Sequence, residues 1–141
     1  MVYSKYIKLW EVLYVAYKFE DALEHDMWLE VRLDDDGYFG KLRLVQGSGE
    51  LWSFKLDTVT AGGLYEGVTK SLYGLDSFAE TKIKDSLGTE LCIYKGGTPT
   101  NPTVTMALFD VESDICWLSL NTARKLLLTL DAYIIGNLSW L

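Results

Sequence analysis

The segment ICWLSLNTARKLLLTLDAYII, residues 115–135, constrains the fold more than any other because it changes from a strand pattern to a helix pattern without a break. Residues 116–120 alternate with the period of a strand that has one buried face. Asn121 and Thr122 then offer side-chain oxygens that can cap the first turn of a helix. After them, apolar residues recur every three or four positions, as in an amphipathic helix. The segment therefore predicts a strand that leads directly into a helix over residues 122–135.

A weaker copy of this joint lies in the first half of the chain. There the alternating segment LWSFKLD, residues 51–57, leads through Thr58 and Thr60 into AGGLYEGVTKSLYGL, residues 61–75, whose leucine and valine residues keep helical spacing. Four glycines in this second segment each cost up to about 1 kcal/mol relative to alanine. We therefore expect this helix to be less stable than its counterpart in the second half.

Each joint follows further segments with strand character. The predicted strands before the two joints are residues 6–19, 27–33 and 38–46 in the first half and residues 77–88, 89–97 and 103–111 in the second. Residues 6–19 are rich in aromatic and β-branched types, which favour a strand, although their apolar residues would also line one side of a helix. A DDDG sequence at residues 34–37 favours a hairpin turn, because glycine accepts a positive φ. The chain thus reads as four strands and a helix, twice.

We therefore predict an α+β fold in which a tandem ββββα repeat forms two antiparallel β-sheets and the two helices pack together. Residues 1–141 are expected to form a single domain, with halves that run roughly over residues 6–75 and 77–135. Alternating apolar residues of the first half are expected to face its core, namely Leu29, Val31, Leu42, Leu44, Phe54 and Leu56.

Composition excludes several classes of protein. Apolar residues make up 49% of the chain and charged residues 23%, which excludes an intrinsically disordered chain. The net charge of -7 argues against nonspecific binding of duplex nucleic acid, because the mean field of the chain repels phosphate. No segment is long and apolar enough to cross a bilayer and no signal peptide is recognisable, so we expect an intracellular, soluble protein. Cys92 and Cys116 lie far apart in apolar strands, and we expect both to be reduced core residues.

The chain contains no recognisable catalytic, cofactor-binding or metal-binding motif. Its single histidine, His25, lies between Glu24 and Asp26 in a polar connection, without the sequence context of a nucleophile. The DDDG sequence is similar to the start of a calcium loop, but Val45 stands where the bidentate glutamate would be required. We therefore predict that the protein is not an enzyme and that it uses neither a cofactor nor a metal.

The solvent faces of the predicted strands carry the residues that point to a function. Opposite the core residues, the first sheet would present one ring and four cations, which are Trp28, Arg32, Lys41, Arg43 and Lys55, with Glu30 and Ser53 among them. The second sheet would present rings and uncharged polar groups, namely Cys92, Tyr94, Thr103, Thr105, Trp117 and Ser119. Single-stranded nucleic acid stacks its bases on aromatic rings while cations follow its backbone. We therefore predict nonspecific binding of single-stranded DNA or RNA through Trp28, Arg32, Lys41, Arg43, Lys55, Tyr94 and Trp117.

The same residues allow other interpretations. Lysine and arginine are common on any solvent-exposed sheet face, and rings there can pack beneath a helix or a subunit. The alternative function is an acidic protein-interaction module, one that mimics nucleic acid and inhibits a nucleic-acid-binding partner such as a nuclease. That module would use Glu20, Asp21, Glu24, Asp26, Asp34, Asp35 and Asp36.

The helix of the second half has a wider apolar surface than packing on one sheet requires. Its apolar residues include Leu126, Leu127, Leu128, Leu130, Ile134 and Ile135. We expect either a homo-oligomer contact through residues 122–135 or a helix that is buried on most sides within one small domain.

Four strands followed by a helix, twice in one chain, resembles the Whirly fold of single-stranded DNA-binding proteins and their relatives, the mitochondrial RNA-binding and transcriptional-coactivator proteins. The resemblance covers residues 6–135 and is carried by the two joints LWSFKLDTVTAGGL and CWLSLNTARKLL. In that family the sheets bind single strands through stacking and basic contacts, and helices build the oligomer. The resemblance implies that residues 122–135 form the oligomer contact and that the sheet contacts are Trp28, Arg32, Lys41, Arg43 and Lys55.

Overall fold

Two repeats of four strands and a helix make up the part of the chain that the computed structural model describes, residues 16–33, 40–74 and 80–138. The first repeat comprises β1 (Ala16–Glu20), β2 (Met27–Leu33), β3 (Gly40–Gln46), β4 (Gly49–Leu56) and α1 (Thr58–Tyr73). The second comprises β5 (Glu80–Lys84), β6 (Glu90–Gly97), β7 (Pro102–Leu108), β8 (Cys116–Ser119) and α2 (Leu120–Leu138). The predicted α+β class and tandem ββββα order are confirmed. Of the strand predicted at residues 6–19 only β1 falls among the described residues, and the DDDG turn lies outside them.

Each repeat forms an antiparallel meander, so that strands adjacent in sequence are adjacent in the sheet. Sheet 1 has the order β1-β2-β3-β4 and sheet 2 the order β5-β6-β7-β8. Side chains alternate between the two faces of each sheet, and the six core residues predicted for sheet 1 are at most 1% exposed. One apolar cluster contains residues of both sheets and both helices. The inner face of sheet 2 contributes Leu91, Ile93, Val104, Met106 and Leu118 to it.

Each helix packs against the sheet of the other repeat. The helix α1 contacts β4 of its own sheet and β5, β6 and β7 of sheet 2. The helix α2 contacts β7 and β8 of its own sheet and β1 of sheet 1. The two helices also pack against each other, as predicted. Each repeat therefore needs the other to bury its apolar surface.

Two buried aspartates join each repeat to the last strand of the other. Asp21 follows β1, and its carboxylate accepts two backbone N–H bonds within its own turn and a third, at 2.7 Å, from the N–H of Trp117 in β8. Asp85 follows β5 and does the same in its own turn, with a third bond at 2.8 Å from the N–H of Lys55 in β4. We call these two interactions the aspartate clasps. They connect the repeats in both directions with charge-assisted bonds, which are stronger than bonds between neutral groups.

Both helices begin directly after a strand and are capped by a side chain at that point. Asp57 caps α1 and forms a capping box with Thr60. In α2 the hydroxyl of Ser119 accepts the N–H of Thr122 at 3.2 Å. The prediction that Asn121 and Thr122 cap this helix was wrong, because the helix begins before both of them and the last residue of β8 supplies the acceptor.

Two glycines allow α1 to approach sheet 2 closely. A Cβ atom at Gly63 would lie 2.9 Å from Cγ2 of Ile83, and one at Gly67 would lie 2.7 Å from Cδ1 of Ile93 and 3.1 Å from Cβ of Thr81. These distances are too short for carbon atoms in van der Waals contact. The sequence suggested only that these glycines weaken the helix. The structure shows that they also set the distance of the helix from β5 and β6.

We predict opposite effects of alanine at two glycines of α1. Gly67→Ala is expected to lower the free energy of unfolding by about 1–2 kcal/mol, because overpacking against Ile93 and Thr81 outweighs the gain in helix propensity. Gly62 is the control, since a Cβ there would meet no atom within 4 Å. Gly62→Ala is expected to raise the free energy of unfolding by about 0.5–1 kcal/mol. Denaturant unfolding followed by tryptophan fluorescence measures both, and a stabilising Gly67→Ala would contradict the close packing.

Candidate nucleic-acid interface

The residues predicted for the first sheet lie on one face of it. Along β2, β3 and β4 they alternate with the buried core residues, so their side chains leave the sheet on the side away from the core. We call this surface the sheet-1 face. Its members include Lys18, Glu20, Trp28, Glu30, Arg32, Lys41, Arg43, Val45, Glu50, Ser53 and Lys55.

Three cations stand side by side across the sheet-1 face. The strand register pairs Arg32 with Lys41 and Lys41 with Lys55. Like charges directly opposite each other destabilise a sheet, and here the row extends over three strands. Arg32 is exposed, and Nζ of Lys41 lies 3.0 Å from Oε1 of Glu50. The row concentrates positive charge on a chain whose net charge is -7.

Arg43, the remaining predicted cation, is held by two glutamates. Its Nε donates to Oε1 of Glu30 at 2.7 Å, and its Nη1 lies 3.7 Å from Oε1 of Glu50. Glu30 is only 4% exposed, so Arg43 supplies the charge that compensates a nearly buried carboxylate. The hydrogen bond with Glu30 raises the pKa of Arg43 above its usual value. Arg43 therefore stabilises the sheet-1 face and is less available to a ligand than Arg32.

Trp28, the ring predicted for this face, is half-buried. The ammonium group of Lys18 lies 4.6 Å from the ring centroid, in the geometry of a cation–π contact. The indole N–H of Trp28 is buried and has no acceptor within the described part of the chain. Lys18 therefore covers one side of the Trp28 ring.

The residues predicted for the second sheet also share one face. The register sets Tyr94, Thr105 and Trp117 in one row across β6, β7 and β8, with both rings half-buried. Both cysteines are free and buried, as predicted. Burial raises the pKa of the Cys92 thiol to about 11, so this sulfur stays protonated at neutral pH. We call this surface the sheet-2 face. It includes Cys92, Tyr94, Thr103, Thr105, Trp117 and Ser119, and the register adds the charged residues Glu80, Lys82, Lys84 and Glu90 to it. The prediction that this face presents Cys92, Thr103 and Thr105 to solvent was wrong, because these residues are 5%, 7% and 0% exposed.

Trp117 lines a cavity of about 500 Å³ at the edge of sheet 2. The backbone of Trp117 is fixed on both sides, because its N–H donates to Asp21 and its carbonyl oxygen accepts the N–H of Ala22 at 2.7 Å. The loop after β1 therefore forms one wall of the cavity. We call this space the Trp117 cavity, and its lining includes Ala22, Leu23, Thr98, Asn101, Trp117 and Ser119.

Sequence reasoning misassigned Asp21. It was predicted to belong to an exposed acidic cluster, but it is 8% exposed and three backbone N–H groups bind its carboxylate. It is therefore unavailable to a protein partner, and residues 34–36 of the same cluster lie outside the described residues. The role of Glu30 was missed too, although a signal existed. Counting outward from a turn at residues 36–37 sets Glu30 opposite Arg43, as observed.

No protein-family model matches this chain, and no curated protein matches it in sequence. In the described ranges no helix is long and apolar enough to cross a membrane. The same ranges contain no group of three or more histidine, cysteine, aspartate or glutamate side chains that could hold a metal ion.

We predict that two arginines of the sheet-1 face differ in their effect on stability. Arg43→Ala leaves Glu30 buried without its cation, and the free energy of unfolding at pH 7 is expected to fall by about 3 kcal/mol. Arg32→Ala is the matched control, because Arg32 is exposed and faces another cation, Lys41. Its expected effect is below about 0.5 kcal/mol in either direction. Urea denaturation compares the two, and equal losses would contradict the structural role of Arg43.

Proposed function

We propose that the protein binds single-stranded DNA or RNA through the sheet-1 face and that its phosphate contacts are independent of sequence. The observation that supports this function is the row formed by Arg32, Lys41 and Lys55. These three cations lie opposite one another on adjacent strands, and Glu50 pairs with Lys41 in the free protein. Phosphates that lie along the row would add further anionic partners to this concentration of positive charge.

A single strand fits this surface better than a duplex does. A short row of cations neutralises few phosphates, and the net charge of -7 opposes the long contact that a duplex needs. Stacking compensates for the limited charge, because each stacked base contributes about 1–3 kcal/mol. Trp28 lies beside the cations, and Tyr94 and Trp117 offer two further rings on the sheet-2 face. Only an unpaired strand can present its bases to such rings.

The order of the elements supports the same function. Two ββββα repeats are the feature that resembles the Whirly fold, whose members bind single strands with their sheets. We propose that this chain shares that fold and that use of its sheets. It would then be a binding protein without catalytic activity, working inside the cell where single strands occur.

Salt-dependent binding of a fluorescent oligothymidylate tests the phosphate contacts. For a single strand, each neutralised phosphate adds about 0.7 to the slope of log affinity against log salt concentration. Arg32→Ala and Lys41→Ala are each expected to lower this slope by about 0.7, and the double variant by about 1.4. Both single variants are also expected to bind more weakly at low salt.

Lys70→Ala provides the matched control for this titration. Lys70 is an exposed cation of α1 that pairs with Glu66 at 3.1 Å, away from the sheet-1 face. Its removal is expected to leave the slope unchanged. No binding of wild-type protein at low salt, or an equal loss in Lys70→Ala, would refute the proposed interface.

We also propose that α2 pairs with α2 of a second copy to form a homo-oligomer. Arg124, Leu128, Asp131 and Ile135 lie on one stripe of the helix, and Leu128 and Ile135 are 72% and 58% exposed. In an antiparallel two-fold pairing centred on Leu128, Arg124 of each copy faces Asp131 of the other, so the same ion pair forms twice. A neighbouring cavity of about 390 Å³ between α1 and α2 gives space for the second copy's Leu128.

Charge reversal on this stripe tests the oligomer. Arg124→Asp and Asp131→Arg are each expected to shift the molar mass towards that of the monomer, because both ion pairs become repulsive. The double variant is expected to restore the oligomer, since the pairs form again with opposite sign. Sedimentation analysis measures the mass, with Lys125→Asp as a control next to the stripe. A wild-type protein that stays monomeric at high concentration would rule the contact out.

A further inference from the structure

The Trp117 cavity has two walls that hydrogen bonds hold in place. On one side, the bonds of Trp117 with Asp21 and Ala22 fix the loop after β1 to β8. On the other side, the N–H groups of Thr98 and Asn101 donate to each other's carbonyl oxygens at 3.1 Å, and the hydroxyl of Thr98 also accepts the N–H of Asn101. A cavity formed in advance binds a ligand without the entropic cost of ordering its loops.

The described residues that line this cavity carry no charged side chain. Its residues with polar side chains are Thr98, Asn101, Thr103 and Ser119, and the hydroxyls of Thr103 and Ser119 already bond to the hydroxyls of Thr105 and Thr122. The rest of the lining, which includes Trp117, is largely apolar. A charged ligand would lose its hydration here without gaining an ion pair. The volume of about 500 Å³ is in the usual range for small-ligand sites. The cavity therefore suits a flat, neutral ligand that stacks on a ring and forms neutral hydrogen bonds.

Asn101 gives this cavity a preference among such ligands. The backbone of Asn101 forms the turn after β6, but among the described residues its side-chain amide makes no hydrogen bond, and the residue is exposed. A carboxamide donates and accepts at the same time, and adenine presents a donor at N6 beside an acceptor at N7. The stacking surface of Trp117 and the amide of Asn101 thus match the face and one edge of an adenine base.

We propose that the Trp117 cavity binds one nucleobase of a single strand and prefers adenine. The base stacks on Trp117 and pairs with the amide of Asn101, while its phosphates stay outside the uncharged lining. This site rests on the function proposed above and adds to it one base-selective position among contacts that are otherwise independent of sequence.

Nuclear magnetic resonance titration of the full-length protein with neutral nucleosides tests this site without phosphate contacts. Adenosine is expected to shift the indole resonance of Trp117 and the backbone resonances of Thr98 and Asn101, and thymidine to shift them less. Asn101→Ala removes the amide and keeps the backbone bonds of the turn, so adenosine binding is expected to weaken about tenfold. Asn121→Ala, which changes an exposed asparagine of α2, is the matched control and is expected to bind adenosine as the wild type does.

The base site and the phosphate contacts can fail separately. If adenosine leaves the resonances of the cavity unmoved, or binds Asn101→Ala as tightly as wild type, the base site is overturned even when oligothymidylate binding depends on salt and on Arg32. Suppose instead that adenosine shifts the cavity resonances but that Arg32→Ala and Lys41→Ala bind oligothymidylate as the wild type does. The base site then stands, and the phosphate contacts of the sheet-1 face are refuted. An equal response to adenosine and thymidine overturns the adenine preference.

Discussion

The aspartate clasps are the interactions on which the rest of the structure depends. Burial of apolar surface drives the two sheets and two helices together, but it has no direction of its own. Asp21 and Asp85 add direction, because each carboxylate binds one backbone N–H on the last strand of the other repeat. Each helix also covers part of the opposite repeat. The two aspartate clasps and the packing of the helices therefore together specify one arrangement of the two repeats.

The two clasps fall on equivalent positions whose chemistry has diverged. Asp85 binds the backbone of Lys55, in the row of cations, and Asp21 binds the backbone of Trp117, at the cavity. Both positions lie two residues before the side chain that caps the following helix, Asp57 or Ser119. One repeat presents a cation where the other presents a ring. Under the proposed function, Lys55 would contact phosphate and Trp117 would contact a base at these equivalent positions.

Local patterns in the sequence were sufficient to predict the strands and the two faces of sheet 1. Alternation shows directly that Leu42 faces the core and that Lys41 faces away from it. They also grouped the candidate residues correctly by face. Contacts between the repeats could not be predicted in this way. Asp21 was predicted to belong to an acidic cluster and Gly67 to weaken a helix, and their roles appear only when the other repeat lies against them. The ion pairs of Glu50 likewise depend on strand register rather than on neighbouring residues in sequence.

The interleaving of the repeats also determines the order in which the chain can fold. The clasp between Asp21 and Trp117 joins residues 96 positions apart, and α1 packs on strands that follow it in sequence. Contacts of such separation carry a large loop-closure cost and slow folding. During synthesis, the first repeat leaves the ribosome before the strands that cover α1 and the helix that reaches β1 exist. The core that the two repeats share can therefore be buried completely only after the second repeat has been made.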